Sequence, residues 1–261
     1  TPGMFGTPKG LKTIAAFCRV VGFIEPVKDS NIGFEVWLPP AEKWNNRYFG
    51  IGNPAFEGAI KYQGLQQAIE KGYATASTDT GHRHPGHEWA MGQPERLIDW
   101  AHRAVHETTV VAKQLIKAFY GRPQKFAYWS NCHNGGRQGL TEAQLYPDDF
   151  DGIVAGDPAY YLTRLQAGSE YLSWVNLKDG TAAPGYIPSE KYPALHRAAL
   201  DACDARDGVK DDTIEDPTRY NFDPVSIQCT DSDNASCLTP PQVETARRIY
   251  AGAKFADGSQ I

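Results

Sequence analysis

Residues 131–136 (NCHNGG) are the part of the sequence best placed to do chemistry. The preceding residues 125–130 (KFAYWS) predict a buried strand, and residues 134–145 predict a helix. A tight turn between a strand and a helix exposes the side chain at its apex, and many enzymes place a nucleophile there with glycine nearby. Here the apex residue is His133, and histidine is among the non-glycine residues that best tolerate a positive φ.

An imidazole at this turn could act in several ways. The positive end of the following helix favours the neutral ring, which can accept a proton, donate a hydrogen bond to a developing oxyanion or attack a carbonyl carbon. Asp157, which follows the next predicted strand, is the candidate for orienting the ring. Alternatively, His133 only fills the space of a lost nucleophile, and the protein is a catalytically silent binding protein.

Apolar patterns predict the elements that must position this turn. Strands are expected at residues 17–24, 33–38, 46–51, 72–77, 125–130 and 151–155, and helices at 65–71, 96–119, 134–145 and 241–250. Strands that alternate with helices indicate a mostly parallel sheet covered on both faces. The pattern changes after about residue 165 to loops and short helices. We therefore predict a core at residues 1–167 and an inserted cap at 168–261.

Composition excludes some classes of partner. The 261 residues carry a formal net charge of −5, so the basic surface needed for nucleic acid or an anionic membrane is not expected. No run of 18 apolar residues is present that could span a bilayer. Cys229 and Cys237 flank a polar loop and could close a small disulfide ring, which favours an oxidising, secreted or otherwise exported setting.

The sequence resembles the tannase and feruloyl esterase family, which also includes mono(hydroxyethyl) terephthalate hydrolase. The resemblance rests on segments such as FCRVVG, FEVWLPP, WNNRYFGIGN, GYATASTDTGH and CDARDGVKDDTI, found in order from about Cys18 onward. It implies an α/β-hydrolase fold with an inserted cap (lid) domain, incomplete in this chain. It also implies hydrolysis of a carboxylic ester, with a small aromatic ester-like substrate.

The sequence departs from the family around the expected site. The family's turn reads Gly-Cys-Ser-x-Gly-Gly, so Asn131 replaces a glycine and His133 replaces the nucleophilic serine. Its oxyanion loop reads Gly-x-Gly-Asn-Gly-Gly, and here Asn53 precedes Pro54, which has no N–H to donate. Asp157 stands where the family has alanine. The expected oxyanion or substrate-binding residues are Asn53, Pro54, Asn131 and Asn134.

These departures leave the reaction open. An unusual route of ester hydrolysis is one reading, and a lyase, isomerase or cyclase reaction with His133 as acid or base is another. A silent binding protein, or a histidine introduced by design to trap a substrate, also fits. The family's remaining catalytic residues follow the nucleophile in the chain, so we expect a C-terminal chain or continuation to supply them. The resemblance further implies a disulfide from Cys132 to a residue beyond this chain.

An acidic loop in the predicted cap is the candidate metal site. By spacing alone, a solvated acidic loop is the simpler interpretation. The resemblance instead implies a structural Ca²⁺, since carboxylate and carbonyl oxygens are the ligands that Ca²⁺ prefers. The expected ligands are Asp204, Asp207, Asp211 and the carbonyls of Val209 and Thr213. The family pairs Cys203 with a cysteine at position 220, where this chain has Tyr220.

Other polar residues are given structural interpretations. Asp79 follows a predicted strand and is expected to hold the next turn. A proline and a glycine separate the histidines of residues 82–87, which predicts an exposed loop. His102 and His106 lie four residues apart on a predicted helix, and no metal-binding HExxH motif accompanies them, so a packed or surface position is expected.

Overall fold

A computed structural model describes residues 16–83 and 86–261. The chain divides into two compact units, Thr1–Tyr160 and Tyr161–Ile261. The boundary predicted between residues 167 and 168 falls inside the first helix of the second unit, Leu162–Leu177. No helix in the described part of the chain is both long and apolar enough to cross a membrane.

Six strands of the first unit form a single mixed sheet. Their bounds are Cys18–Ile24 (β1), Ile32–Leu38 (β2), Arg47–Ile51 (β3), Ala74–Thr78 (β4), Phe126–Cys132 (β5) and Gly152–Gly156 (β6). The strand order is β1-β2-β4-β3-β5-β6. β1, β2 and β4 pair antiparallel, whereas β4, β3, β5 and β6 pair parallel. The parallel part places the ends of β3 and β5, and therefore the loops that follow them, at one edge of the sheet.

Helices cover both faces of this sheet, as the alternation of strands and helices predicts. The α-helices of the first unit are Tyr62–Glu70 (α1), Pro94–Ile98 (α2), Ala104–Tyr120 (α3) and Asn134–Leu145 (α4). On one face, Leu65 and Ile69 of α1 pack with Trp37 of β2. On the other face, Ile116 of α3 packs in a cluster that includes Val36 of β2. The alternation of side chains along β2 thus serves two cores at once.

The continuous helix predicted at residues 96–119 is interrupted. Asp99–Arg103 form a π-helical turn between α2 and α3. Its carbonyl groups accept hydrogen bonds from Arg137 of α4, with Nη1 2.8 Å from the oxygen of Ala101 and Nη2 3.3 Å from that of Trp100. The widened turn therefore rests on a contact with a residue far along the chain, which helical periodicity cannot reveal.

The second unit contains helices and loops but no strand over residues 161–261. Its α-helices are Leu162–Leu177 (α5), Tyr192–Cys203 (α6) and Pro240–Ala251 (α7). A small core joins Ile187 and Leu238 to Val243 and Ala246 of α7. The predicted disulfide between Cys229 and Cys237 is present and closes the loop that leads into α7.

Candidate functional site

His133 lies at the apex of a tight turn between β5 and α4. Its φ is +59°, as the strand-turn-helix pattern predicts, and its side chain is exposed. Its backbone is fixed on both sides. The N–H donates to the oxygen of Gly156 at 3.1 Å, and the carbonyl accepts from Arg137 at 3.0 Å and Ala159 at 3.2 Å. The sheet and helix thus present an imidazole to solvent on a rigid support.

The glycines after His133 allow the close approach of strand and helix. A Cβ on Gly135 would lie 2.4 Å from Oδ1 of Asn131, and one on Gly136 would lie 2.3 Å from the oxygen of Gly156. Asn131, which stands where the resemblance implies a glycine, fits because Gly135 has no side chain. Its Oδ1 accepts the N–H of Cys132 at 3.0 Å, so this side chain supports the turn.

The loop after β3 is tied to the start of α4 by buried amide groups. Nδ2 of Asn53 donates to the oxygens of Ala59 and Thr78, at 3.0 and 2.9 Å. The N–H of Asn53 donates to Oε1 of Gln138 at 3.0 Å. Nδ2 of Asn134 donates to the oxygen of Asn53 at 3.3 Å. The Asn53 and Asn134 side chains therefore hold two loops together, and the group of Asn134 that remains available for a ligand is its backbone N–H at the first position of α4.

The imidazole of His133 is oriented by the same loop. The N–H of Ala55 donates to Nδ1 at 3.3 Å, and Ala55 follows Pro54, which has no N–H. Because Nδ1 is the acceptor, a neutral ring carries its proton on Nε2. The predicted orienting residue, Asp157, is exposed and makes no side-chain hydrogen bond or ion pair within the described part of the chain. In this structure Ala55 takes the orienting position expected of Asp157.

Two residues of this region were not predicted from the sequence. Gln138 is buried and joins the Asn53 loop to α4. The guanidinium of Arg137 stacks on Trp100 with its carbon 4.3 Å from the ring centroid, and burial lowers its pKa to about 10. One signal was available, because Asn134, Gln138 and Glu142 recur every four residues and so share one face of α4.

The prediction that residues 82–87 form an exposed loop is wrong for His82. Its ring is buried and stacks on Trp89 at 3.8 Å between centroids, and its Nε2 lies 2.7 Å from the oxygen of Phe56. Local spacing could not reveal these partners, which come from separate segments. His87 is exposed, and residue 84 lies outside the described residues.

Asp79 takes the structural position that the sequence predicts. Its Oδ1 accepts the N–H groups of Gly33 at 2.8 Å and Gly81 at 3.0 Å, and Arg83 lies 3.4 Å from Oδ2. The side chain is buried, and the loss of solvent raises its pKa to about 6 despite these donors. The carboxyl thus joins the start of β2 to the turn after β4.

The predicted calcium ligands lie in one loop after α6. Asp204 is buried, and its two oxygens accept the N–H groups of Asp211 and Asp212, each at 3.2 Å. Asp207 and Asp211 accept the N–H groups of Val209 at 2.9 Å and Thr213 at 3.1 Å. The carboxylate and carbonyl oxygens of this loop are the donor types that suit Ca²⁺. In this structure the three carboxylates close backbone turns.

Three cysteines of the described residues are unpaired. The thiols of Cys18 and Cys132 are exposed, and that of Cys203 is buried. The disulfide predicted for Cys132 involves a residue beyond this chain and stays a prediction. Cys203 lies next to the acidic loop, and Tyr220 stands at the position where the resemblance implies a partner for it.

Comparison with known proteins assigns the chain to a family. The family model of tannase and feruloyl esterase matches residues 18–261. An uncharacterized esterase of Xanthomonas campestris pv. campestris is 39% identical, over 96% of this chain and 43% of its own length. A probable feruloyl esterase B-2 of Aspergillus flavus is 36% identical, over 94% of this chain and 46% of its own.

A solved structure agrees with this assignment. The crystal structure of feruloyl esterase B from Aspergillus oryzae matches with a TM-score of 0.83 and 32% identity, over 98% of this chain and 50% of that one. The chain thus spans about half the length of the relatives it matches. The predicted α/β-hydrolase fold is confirmed, and the chain belongs to the tannase and feruloyl esterase family.

Proposed function

We propose that the protein acts on carboxylic esters with an aromatic acyl group, and that His133 contacts the ester at the reaction centre. The observation that carries this proposal is the exposed His133 ring at the positive-φ apex between β5 and α4. In a member of this family, that position is where the reacting carbonyl would be bound. The family relationship supports the ester as substrate class, and the described geometry supports a new role for the residue.

The hydrogen bond from Ala55 defines what the ring can do. With Nδ1 engaged at 3.3 Å, the free group is Nε2–H, which is a donor. We propose that it donates to the ester carbonyl oxygen, together with the backbone N–H of Asn134. Donors aimed at this oxygen stabilise the charge that develops when a carbonyl carbon is attacked. Nε2–H would then supply the donor that the loop at Pro54 lacks.

Hydrolysis by this route uses water as the attacking group. The water oxygen bonds to the carbonyl carbon, the bond from that carbon to the alcohol oxygen breaks, and a proton of water ends on the alcohol. The imidazole keeps its own proton throughout. Loss of the nucleophile lowers the rate of a serine hydrolase by roughly six orders of magnitude. We therefore expect turnover far below that of a serine esterase.

The same observation supports a second candidate, a silent binding protein. A donor pair at Nε2 of His133 and the N–H of Asn134 would hold an ester carbonyl or a carboxylate without cleaving it. The two candidates differ in whether bound ester is converted to acid and alcohol.

Turnover of feruloyl, galloyl and terephthaloyl esters separates them. We expect the parent to exceed His133→Ala by about 100- to 1000-fold, as for removal of an oxyanion donor, with His133→Gln between them because its amide also donates. Equal rates for parent and His133→Ala would exclude a catalytic role. If no variant turns over while calorimetry shows tighter ester binding by the parent, the silent binder is correct.

We also propose that the loop of residues 204–213 binds a structural Ca²⁺, supported by its set of oxygen donors. Ca²⁺ should raise the melting temperature of the parent relative to the chelator-treated protein, and Mg²⁺ should do so less. Asp207→Asn should abolish the effect, whereas Asp179→Asn, an exposed position before α6, should keep it. The Cys229–Cys237 disulfide likewise supports an exported setting for the protein.

A further inference from the structure

A second polar cluster lies between α3 and α4, on a part of the fold that the proposed reaction does not use. It comprises His106 of α3, Glu142 of α4 and Asp149 in the turn before β6. One ligand atom from each of these side chains lies within 4.8 Å of the others. His106 and Asp149 already contact each other, with Nδ1 and Oδ2 2.6 Å apart. Three elements therefore contribute metal-binding groups to one point.

Glu142 is the anomalous member of the cluster. Glu142 is 1% exposed, and neither of its carboxyl oxygens accepts a hydrogen bond from a donor among the described residues. Burial, followed by the neighbouring charge of Asp149 and a side-chain hydrogen bond with it, raises the pKa of Glu142 well above its ordinary value. A buried carboxyl group without partners is strongly destabilising unless it is neutralised. The fold thus keeps an acid where an apolar residue of similar size would be expected.

The surrounding residues do not supply the missing partner. Nζ of Lys113 lies 3.7 Å from Asp149 and donates to the oxygen of Asp148 at 3.0 Å, so its charge is directed to the turn. The Tyr146 ring stacks on His106 at 3.8 Å, and its hydroxyl contacts Nδ1 of His102 at 2.7 Å. These contacts fix the plane of the imidazole and leave the Glu142 carboxyl beside the Asp149 side chain, with no donor among the described residues.

We propose that His106, Glu142 and Asp149 form a structural site for Zn²⁺ that joins α3, α4 and the turn before β6. Imidazole nitrogen with two carboxylate oxygens is a zinc donor set, and a water molecule would complete a tetrahedron. Ligands at about 2.1 Å from zinc stand roughly 3.4 Å apart, so Nδ1 of His106 and Oδ2 of Asp149 would separate by about 1 Å and the more distant ligand atoms would move closer. Binding would require the imidazole proton to lie on Nε2, which frees Nδ1 for the ion, and the proton of the Glu142 carboxyl would be released.

The distance of this cluster from the His133 turn favours a structural rather than a catalytic role for the ion. Glu142 is eight residues after Asn134 on α4, which is about 12 Å along the helix from the His133 turn. The ion would therefore hold α4 against α3 at the end away from the reaction centre. His106 is partly exposed, with 29% of its side chain accessible, which gives zinc a path to the cluster.

Zinc binding to the chelator-treated full chain tests this proposal. We expect the parent to bind one equivalent of ZnCl₂, with a higher melting temperature and a released proton in calorimetry. The isosteric variant Glu142→Gln should bind zinc at least about tenfold more weakly. Glu170→Gln on exposed α5 and Cys132→Ser should bind as the parent does, since neither belongs to the cluster.

A second measurement does not depend on any variant. Crystals soaked in ZnCl₂ should show an anomalous peak between Nδ1 of His106 and the two carboxylates. Equal zinc affinity for the parent and Glu142→Gln, or a soaked crystal without this peak, would overturn the proposal. In that case Glu142 is a buried protonated acid, and Glu142→Gln should leave the metal-free protein as stable as the parent or more so.

Discussion

The two glycines after His133 meet different obstacles. A Cβ on Gly135 would meet the Asn131 side chain, at 2.4 Å from Oδ1 and 2.7 Å from Cβ. One on Gly136 would meet the backbone oxygen of Gly156 at 2.3 Å and Cα of Pro158 at 3.1 Å, which are parts of the main chain. The spacing between α4 and β6 is therefore set by Gly136.

Gly136→Ala should lower the free energy of unfolding by about 3 kcal/mol, because the backbone must move apart to admit the methyl group. Gly168→Ala is the matched control. Gly168 also lies in a helix, and a Cβ there meets nothing within 4 Å, so we expect a gain of up to about 1 kcal/mol from helix propensity. Urea denaturation measures the free energy of unfolding of both variants. Similar effects of the two substitutions would show that the contact with Gly156 does not limit the packing.

The raised pKa of Asp79 makes the stability of the first unit depend on pH, and the direction of this dependence follows from the shift. Its pKa of about 6 in the folded protein lies above its ordinary value of 3.8. The folded state therefore binds the proton more tightly, so this group stabilises most below pH 4, and its contribution is lost as the pH rises to about 6. The difference in pKa corresponds to about 3 kcal/mol.

Asp79→Asn removes this titration and keeps an acceptor for Gly33 and Gly81. The stability of the parent relative to the variant should fall by about 2 to 3 kcal/mol between pH 4 and pH 7, measured by chemical denaturation. Asp223→Asn is the control of opposite sign, since Arg247 lowers the pKa of that exposed carboxyl. If the difference in stability between the parent and Asp79→Asn does not change with pH, the hydrogen bonds to the Asp79 carboxylate outweigh the effect of burial on its pKa.

The π-helical turn Asp99–Arg103 is stabilised by hydrogen bonds from a residue of another helix. The carbonyls of Trp100 and Ala101 accept from Arg137, whose Nε also donates to Oδ1 of Asn134 at 2.6 Å. The Arg137 guanidinium therefore connects the π-helical turn between α2 and α3 to the first turn of α4. Without it, these acceptors would be left in a buried region.

Arg137→Met should lower the free energy of unfolding by about 3 kcal/mol, because it fills similar space but leaves the carbonyls without donors. Arg247→Met serves as the control. Arg247 makes an exposed pair with Asp223, so its loss should change stability by less than about 1 kcal/mol. If Arg137→Met unfolds no more easily than the control, the π turn is stable by itself.

Local patterns predicted the strands and most helices of the first unit, because these depend on periodicity and on stop signals. In the second unit, α5 and α6 lie where the sequence predicted loops and short helices. Residues 134–145 were predicted as a helix and have those bounds, and the positive φ of His133 followed from its place between strand and helix. Side-chain direction was harder to predict. Asn53 was expected to face substrate, yet its amide binds Thr78 and Ala59, which pairing of separate strands brings to it. The same limit explains the error at His82.

The two units of the chain are stabilised by different interactions. The first unit, Thr1–Tyr160, has a sheet with a core on each face, whereas the second, Tyr161–Ile261, has a small helical core and a disulfide. The disulfide closes a ring across a separation of eight residues. A ring of this size is expected to contribute about 2 to 3 kcal/mol through the entropy of the unfolded chain.

Replacing both Cys229 and Cys237 with serine should therefore destabilise the second unit by about that amount. Hydrogen exchange of the α7 amides should accelerate, because Leu238 and Val243 pack beside the ring. Exchange of the α3 amides is the internal control and should be unchanged. Equal acceleration in α3 and α7 would mean that the loss is spread over the whole chain.

The hydrogen bond from Ala55 to His133 also makes one backbone amide a spectroscopic probe. When Nδ1 takes up a proton, it can no longer accept, and the amide of Ala55 must find another partner. Its nitrogen and proton resonances should then change with each event at the imidazole, including the arrival of a ligand at Nε2. A single labelled alanine would let an observer follow the ring through a reaction without a chromogenic substrate.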